Sequence, residues 1–423
     1  MTEKKTRILP SLNLNKGLDI EILIPYPWLL ILASIPYLLW EIYWAKKVGY
    51  PCIKWHTHVA VYYYGWLFFY LGLYFFNHWF PLKNYRRYLT IFTSVFITLG
   101  IVEALLVGVG KGDTYSEHIS AGYYSMYNST HEQYYRLHDP NQVYYIVRNE
   151  FKHYRKSNSL GYADSEWTKP KKKNEKRIAC FGDSFTEGVG APFDSTYPAV
   201  LRNLLQLNDT NLTVLNCGIS GDDPCVNYMN YRDRVAIFKP DIIVQTLSCN
   251  DMNTDIATKG GLERFLPNGK MQLKQAPWWE PIFALCYVSR LFFDVLGYND
   301  LLLRVPFSSA QKEELNNKAI ETFTAYAAEA KKQGAILLVV LQPNMFDYYQ
   351  KKYEYDLSPV VKHLNRLENV KVFDLLPYYE NEFLHHEDEI KQFYWKQDGH
   401  HNPSGYALMA RGIKHGLDSL CLK

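Results

Sequence analysis

Four short blocks hold the residues able to do chemistry. The first is Gly182-Asp183-Ser184-Phe185-Thr186-Glu187-Gly188, a serine in a glycine-flanked turn. A serine placed where a strand turns into a helix is exposed at the top of a sheet with its backbone N–H facing the same cavity, and flanking glycines let the chain turn sharply. The second block is Asn216-Cys217-Gly218-Ile219-Ser220-Gly221-Asp222, where a glycine bares an N–H able to bind an oxyanion. The third, Ser248-Cys249-Asn250-Asp251, offers the Asn250 amide as a further oxyanion donor. The fourth, Asp398-Gly399-His400-His401-Asn402, puts a carboxylate and an imidazole in one turn, as a base and its orienter require. Each block alone has a plainer reading, such as a helix-capping serine or an ordinary turn. All four in this order are specific, and the chemistry they share is acyl transfer through a serine.

Such a set needs a scaffold that gathers distant turns at one edge. From residue 178 onward, short apolar strands alternate with helical stretches. The pattern predicts strands over 178–181, 212–217, 242–247, 335–341 and 370–375, and helices near 195–207, 225–238, 309–333, 356–367 and 403–418. Asn402-Pro403 opens the last helix as a cap and first-turn pair. Alternation of this kind predicts a parallel sheet covered on both faces, with ligands bound beyond the carboxyl ends of the strands. Every block falls at such an end or at a helix start.

In this order the blocks resemble those of the SGNH (GDSL-type) hydrolase superfamily, over residues 177–420. The resemblance implies an α/β fold, a flavodoxin-like three-layer α/β/α domain, with Ser184 as nucleophile. It implies an oxyanion hole made by the N–H groups of Ser184 and Gly221 and the amide of Asn250, and a catalytic histidine oriented by Asp398. The sequence departs from the family pattern at Ser248, where glycine is usual. Two histidines also compete. Asp-x-x-His spacing selects His401, whereas the His-x-Asn-x-x-Gly tail running into Asn402 and Gly405 selects His400, which the helix start favours. Asn158-Ser159-Leu160-Gly161-Tyr162 resembles the lead-in of membrane-anchored members associated with cell-surface glycans. The expected activity is a serine esterase working through an acyl-serine, with no metal or organic cofactor, on O-acetyl or other small acyl groups of a glycan. Transfer to a sugar hydroxyl, with an acyl-donor membrane protein as partner, is the alternative, followed by a lipid esterase. A non-enzymatic glycan-binding component is a further class, against which the intact Ser184, Asn250 and Asp398 set weighs. Trp278 and Trp279, within 252–306, would stack on sugar or fill a lid.

Composition divides the 423 residues unevenly. Aromatic and apolar residues crowd the first 150, where runs over 22–40, 59–80 and 88–110 are each long enough to span a bilayer. The expectation is an all-α transmembrane anchor of three helices over 1–110, a juxtamembrane lead-in and charged linker over 111–176, and the hydrolase domain over 177–423. The first run lacks the small-residue cleavage site of a signal peptide. Lys4, Lys5, Arg7, Lys16, Lys83, Arg86 and Arg87 fall on one side of the spans, against Lys46, Lys47, Lys54 and Lys111 on the other. The cation-rich side faces the cytoplasm by the usual bias, which puts the catalytic domain of a multi-pass protein outside it. Glu103 is the one acid in the third run, and a hydrogen bond to a neighbouring helix or a reach toward the interface is its expected role. A net charge of +3 gives no reason to expect a nucleic-acid partner, and none of the seven cysteines has zinc-site spacing.

Overall fold

The computed structural model describes residues 35, 39, 55–110, 130–131, 137–207, 210–267, 271–272, 287–296, 307–382 and 392–420. The chain divides into two compact units, Met1–Met126 with Ala276–Tyr298, and Tyr127–Gln275 with Asn299–Lys423.

In the first unit, helix α1 (Trp55–Trp79) and helix α2 (Tyr85–Gly110) pack as an antiparallel pair. The Asn77 side chain accepts the Leu82 N–H at 2.9 Å and closes the turn, and Trp66 Nε1 donates to Thr93 Oγ1 at 3.0 Å across the pair. Among the described residues one stretch, Tyr85–Leu106, is long and apolar enough to cross a membrane, with a mean hydropathy of 2.1. The second apolar run is helical as α1, yet it falls short of that test because Tyr, Trp and His side chains with polar ends replace aliphatic ones. The first run, apart from Ile35 and Leu39, and Trp278 and Trp279 lie outside the described residues. Glu103 is fully buried. Its carboxylate accepts the N–H groups of Tyr287 (2.8 Å) and Val288 (3.0 Å), the exposed donors at the start of a short helix over Tyr287–Val295, and the Tyr62 hydroxyl at 3.3 Å. Those donors offset the cost of burying the acid.

The second unit holds the five-stranded sheet. The elements that build and flank the sheet are, in chain order, the hairpin strands β1 (Val143–Val147) and β2 (Lys152–Lys156), then β3 (Lys176–Phe181), α3 (Ser184–Glu187), α4 (Tyr197–Gln206), β4 (Leu212–Asn216), α5 (Pro224–Asn230), β5 (Ile242–Leu247), α6 (Ser309–Lys332), β6 (Ile336–Leu341), α7 (Ser358–Leu364), β7 (Val370–Asp374) and α8 (Pro403–Ser419), with shorter pieces between them. The sheet runs β4-β3-β5-β6-β7 with every pairing parallel. This is the flavodoxin-like order, whose switch point lies at its first strand, here β3.

Alternation along the strands builds two core layers. Ala179, Phe181, Ile243, Leu337 and Val339 pack beneath α5, α6 and α7 through Cys225, Phe323, Tyr326 and Val360. Ile178, Cys180, Val214, Val244, Leu338 and Val340 pack beneath α4 and α8 through Leu201, Leu205, Met409 and Ile413. The five strands lie within a residue or two of the sequence expectation. Two segments read as lead-in and linker behave differently. The 137–165 stretch packs into this unit, with Tyr162 in its core. At the end of the charged run, Arg177 is buried rather than solvated, because its guanidinium pairs with Glu175 and donates to the carbonyls of Phe238 (2.9 Å), Lys169 (3.1 Å) and Pro170 (3.1 Å).

Candidate active site

Ser184 follows β3 directly and begins α3, whose cap is Asp183; the Asp183 carboxylate accepts the Phe185 N–H at 2.9 Å. The turn depends on Gly182. A Cβ there would lie 2.1 Å from Thr246 Oγ1 and 2.2 Å from Thr186 Oγ1. Gly218 is equally confined, since a Cβ would meet the Glu187 nitrogen at 2.3 Å. Gly182 thus lets the turn after β3 fit against β5, and Gly218 lets the turn after β4 approach α3.

The fourth block meets Ser184 through one histidine. His400 Nε2 lies 2.7 Å from Ser184 Oγ, and His400 Nδ1 lies 2.6 Å from Asp398 Oδ1. An ionised carboxylate only accepts, so Nδ1–H donates to Asp398 and leaves Nε2 to accept the serine hydroxyl proton. Burial works against the Asp398 charge, but the hydrogen bond and charge of His400 outweigh it and hold the carboxyl below the usual carboxylate range. His401 points the opposite way. It is fully buried, with Nδ1–H donating to the Phe393 carbonyl at 3.1 Å and Nε2 accepting from the Tyr379 hydroxyl at 3.3 Å. Burial pulls its pKa down to about 3, so the ring is neutral. Its backbone bridges to Tyr394, and Asn402 then caps α8 by accepting the Gly405 N–H at 3.1 Å.

The other two blocks end the strands flanking β3. Gly221, with a positive φ of 78°, closes the turn after β4, and Asn250 stands exposed just beyond β5. Ser184, Gly221 and Asn250 therefore terminate three neighbouring parallel strands at the same edge. Ser248, the departure from the family pattern, is accommodated by Asp251, whose Oδ2 accepts both the Ser248 N–H (2.7 Å) and its hydroxyl (3.0 Å). Lys259 donates to the Gly221 carbonyl at 3.0 Å and pairs with Asp255, tying the segment after Asn250 to the Gly221 turn.

The blocks alone did not reveal a buried hub behind the serine. Glu187, 1% exposed, accepts the Ser220 N–H (2.5 Å) and hydroxyl (2.6 Å), pairs with Arg155, and lies 2.9 Å from His138 Nε2. Burial would raise this carboxyl, but the hydrogen bond from His138 and the charge of Arg155 pull it down to about 2. Arg155 also donates to the Gly188 carbonyl at 3.0 Å. A second carboxylate, Glu150, sits in the hairpin turn and accepts the Gln397 N–H (2.7 Å) and the Asp398 N–H (2.8 Å). Arg155, His138 and Glu150 all come from the 137–165 stretch. Glu187 lay in plain view inside the first block; its partners are 32 and 49 positions away, and nothing in their spacing marks them.

Residues 180–408, just over half of the chain, match the GDSL-like Lipase/Acylhydrolase family. The chain belongs to this family. Its members are ester-hydrolysing enzymes, and the doubly covered parallel sheet is the family's SGNH architecture. An acetylxylan esterase of Xylanibacter ruminicola is 37% identical over 89 residues, which cover 19% of this chain and 18% of that protein. The chain thus spans under a fifth of the length of that relative. Among solved structures, a two-domain esterase (CEX) active on acetylated mannans aligns with 58% of this chain and 49% of its own, at 14% identity and a TM-score of 0.37. A catalytic mutant of Axe2, an acetylxylan esterase from Geobacillus stearothermophilus, aligns with 56% of this chain and 92% of its own, at 14% identity and a TM-score of 0.36.

Proposed function

We propose that this chain is a membrane-anchored serine esterase that removes small acyl groups, acetyl foremost, from a cell-surface glycan. The observation that carries the reading is the unbroken chain of hydrogen bonds from Ser184 Oγ through His400 to Asp398, at 2.7 and 2.6 Å. In this reading His400 Nε2 takes the hydroxyl proton as Ser184 Oγ bonds to the ester carbonyl carbon. The N–H groups of Ser184 and Gly221 and the Asn250 amide hold the oxyanion. Collapse breaks the bond to the sugar oxygen, which takes the proton from Nε2, and leaves an acyl-serine. Water, deprotonated by the same nitrogen, attacks the acyl-serine and releases the acid. The local match to an acetylxylan esterase supports an acylated glycan as the substrate class.

The same reading places the Tyr85–Leu106 span in the membrane and the catalytic unit outside the cytoplasm. It rests on the apolar stretch Tyr85–Leu106 and on the cations Lys83, Arg86 and Arg87 clustered at its N-terminal end. Protease treatment of sealed vesicles, cutting 111–176 from the non-cytoplasmic face only, is the expected result.

A fluorophosphonate probe should label the wild-type protein and not Ser184→Ala, and the variant should lose hydrolysis of p-nitrophenyl acetate. Hydrolysis by Ser184→Ala at the wild-type rate would overturn the assignment. Asn250→Ala should lower kcat by about 10²–10³ with little change in KM, as for an oxyanion donor. A rise in KM at constant kcat would instead make Asn250 a ground-state contact.

A further inference from the structure

We propose that the outer face of the β1–β2 hairpin is a binding platform for an acidic polysaccharide, the polymer bearing the ester cleaved at Ser184; this deepens the esterase reading and rests on it. The register pairs Val143 with Lys156, Tyr145 with Tyr154 and Val147 with Lys152. Side chains alternate across a strand, so these six share one face. Tyr145 and Tyr154 are 56% and 65% exposed, and their rings lie side by side with centroids 4.8 Å apart. Val143 and Val147 are also exposed. A patch of this kind on a folded surface marks a binding site. The flat rings with hydroxyl tips match a sugar chain, which offers C–H faces and hydroxyl rims.

Charge decides which kind of chain. Lys152 and Lys156 stand at opposite ends of the face, and the one acid in the hairpin, Glu150, is bonded to backbone N–H groups of the catalytic loop. The face is therefore cationic and complements carboxylate or phosphate groups along the polymer. It is also continuous with the active site. Glu150 holds the backbone of Asp398, and on the opposite face Arg155 grips Glu187 and Gly188 behind Ser184. The tyrosine pair is two residues along each strand from the Val147–Lys152 pair next to that turn, about 7 Å at the usual rise. A polymer lying on the tyrosines thus leads toward the Asp398 loop.

The test compares the full chain with Tyr145→Ser/Tyr154→Ser and Lys152→Gln/Lys156→Gln double variants. Substrates are O-acetylated polygalacturonate, neutral O-acetylated xylan and p-nitrophenyl acetate. Losing two stacking rings should raise KM for acetylated polygalacturonate by about tenfold, with p-nitrophenyl acetate turnover unchanged. The lysine variant should lose the preference for the acidic polymer and its salt dependence. An unchanged KM on the acidic polymer in the tyrosine variant overturns the proposal, as does an equal fall on p-nitrophenyl acetate. Tyrosine-dependent retention on phosphatidylglycerol vesicles, with polymer kinetics unaltered, would assign the face to a bilayer instead. Failure of the esterase reading is seen separately, as wild-type protein inert toward p-nitrophenyl acetate. Binding of acetylated polygalacturonate by Ser184→Ala, lost in the tyrosine variant, reports on the platform alone.

Discussion

At the strand ends, the residues proposed for catalysis come from turns a few positions long; in the 137–165 stretch, the residues that hold those turns come from a segment with no catalytic pattern at all. Ser184, Gly221 and Asn250 end three neighbouring strands, and the parallel sheet alone is enough to gather them. Arg155, His138 and Glu150 reach the same place from outside the sheet, by hydrogen bonds to Glu187, Gly188 and Asp398. The contrast separates two tasks. The chemistry needs few groups of fixed type, whereas holding them to a fraction of an ångström needs a supporting layer that any cooperative part of the fold can supply.

The adjacent histidines give the largest expected effect, and they divide the first region against itself. His400→Ala removes the group bonded to Ser184 and should cut kcat/KM for p-nitrophenyl acetate by about 10⁴ or more while the fold persists. His401→Ala empties a buried site beside Tyr379, Tyr394 and Tyr406, and should lower thermal stability while the folded fraction keeps activity within about tenfold. The reverse pattern would return the site to Asp-x-x-His spacing and leave the serine in place.

Arg155 tests the second region. Arg155→Met leaves Glu187 buried without its guanidinium partner, a change that typically costs about 3–5 kcal/mol. Urea unfolding should show that loss, and activity at temperatures where the variant is folded should fall through kcat. A pairwise replacement, Arg155→Met with Glu187→Gln, should recover part of the stability, because the uncompensated charge is gone. Stability equal to wild type in the single variant would make the 137–165 stretch dispensable and break the comparison.

Much of this was legible beforehand. The strand boundaries follow from short apolar runs and the parallel, doubly covered sheet from their alternation with helices, while the flavodoxin-like strand order was implied by the family resemblance alone. The candidate residues were visible because acyl transfer demands particular groups at strand ends. Three things were hidden for physical reasons. Lys152–Lys156 falls in the segment expected to be a lead-in, since a lone sequence cannot show that Arg155 meets an acid across the fold. The helix start favoured His400, but what turns His401 away from the serine, the backbone bridge from Tyr394 to His401, is a register set by packing. The anchor expectation counted α1 among the apolar spans, but its tyrosines, tryptophans and histidines lower its mean hydropathy while leaving its helical pattern intact.

One device is shared by both regions, and it carries the smallest expected effect. His153 in the hairpin and His401 beside the catalytic loop are both buried as neutral rings. Burial, with the Arg155 charge adding to it, pulls His153 down to about 4, and burial pulls His401 down to about 3. Unfolded, each ring binds a proton near pH 6.5. Below that pH the unfolded state takes up protons that the folded state refuses, so stability falls as pH drops from about 6.5 toward 4; above 7 both forms are neutral and the dependence vanishes. Each histidine contributes at most about 1.4 kcal/mol per pH unit across that window. The ring nitrogens of His153 have no hydrogen-bond partner among the described residues, and its ring stacks on Phe151. His153→Phe should therefore keep the packing and raise the melting temperature, by more at pH 5 than at pH 7.5. Because His401 is left to titrate, the variant should retain roughly half of the acid sensitivity these two residues supply. An identical gain at both pH values would mean that His153 is not held neutral, and the hairpin would then sit less tightly on the domain than Arg155 and Glu150 require.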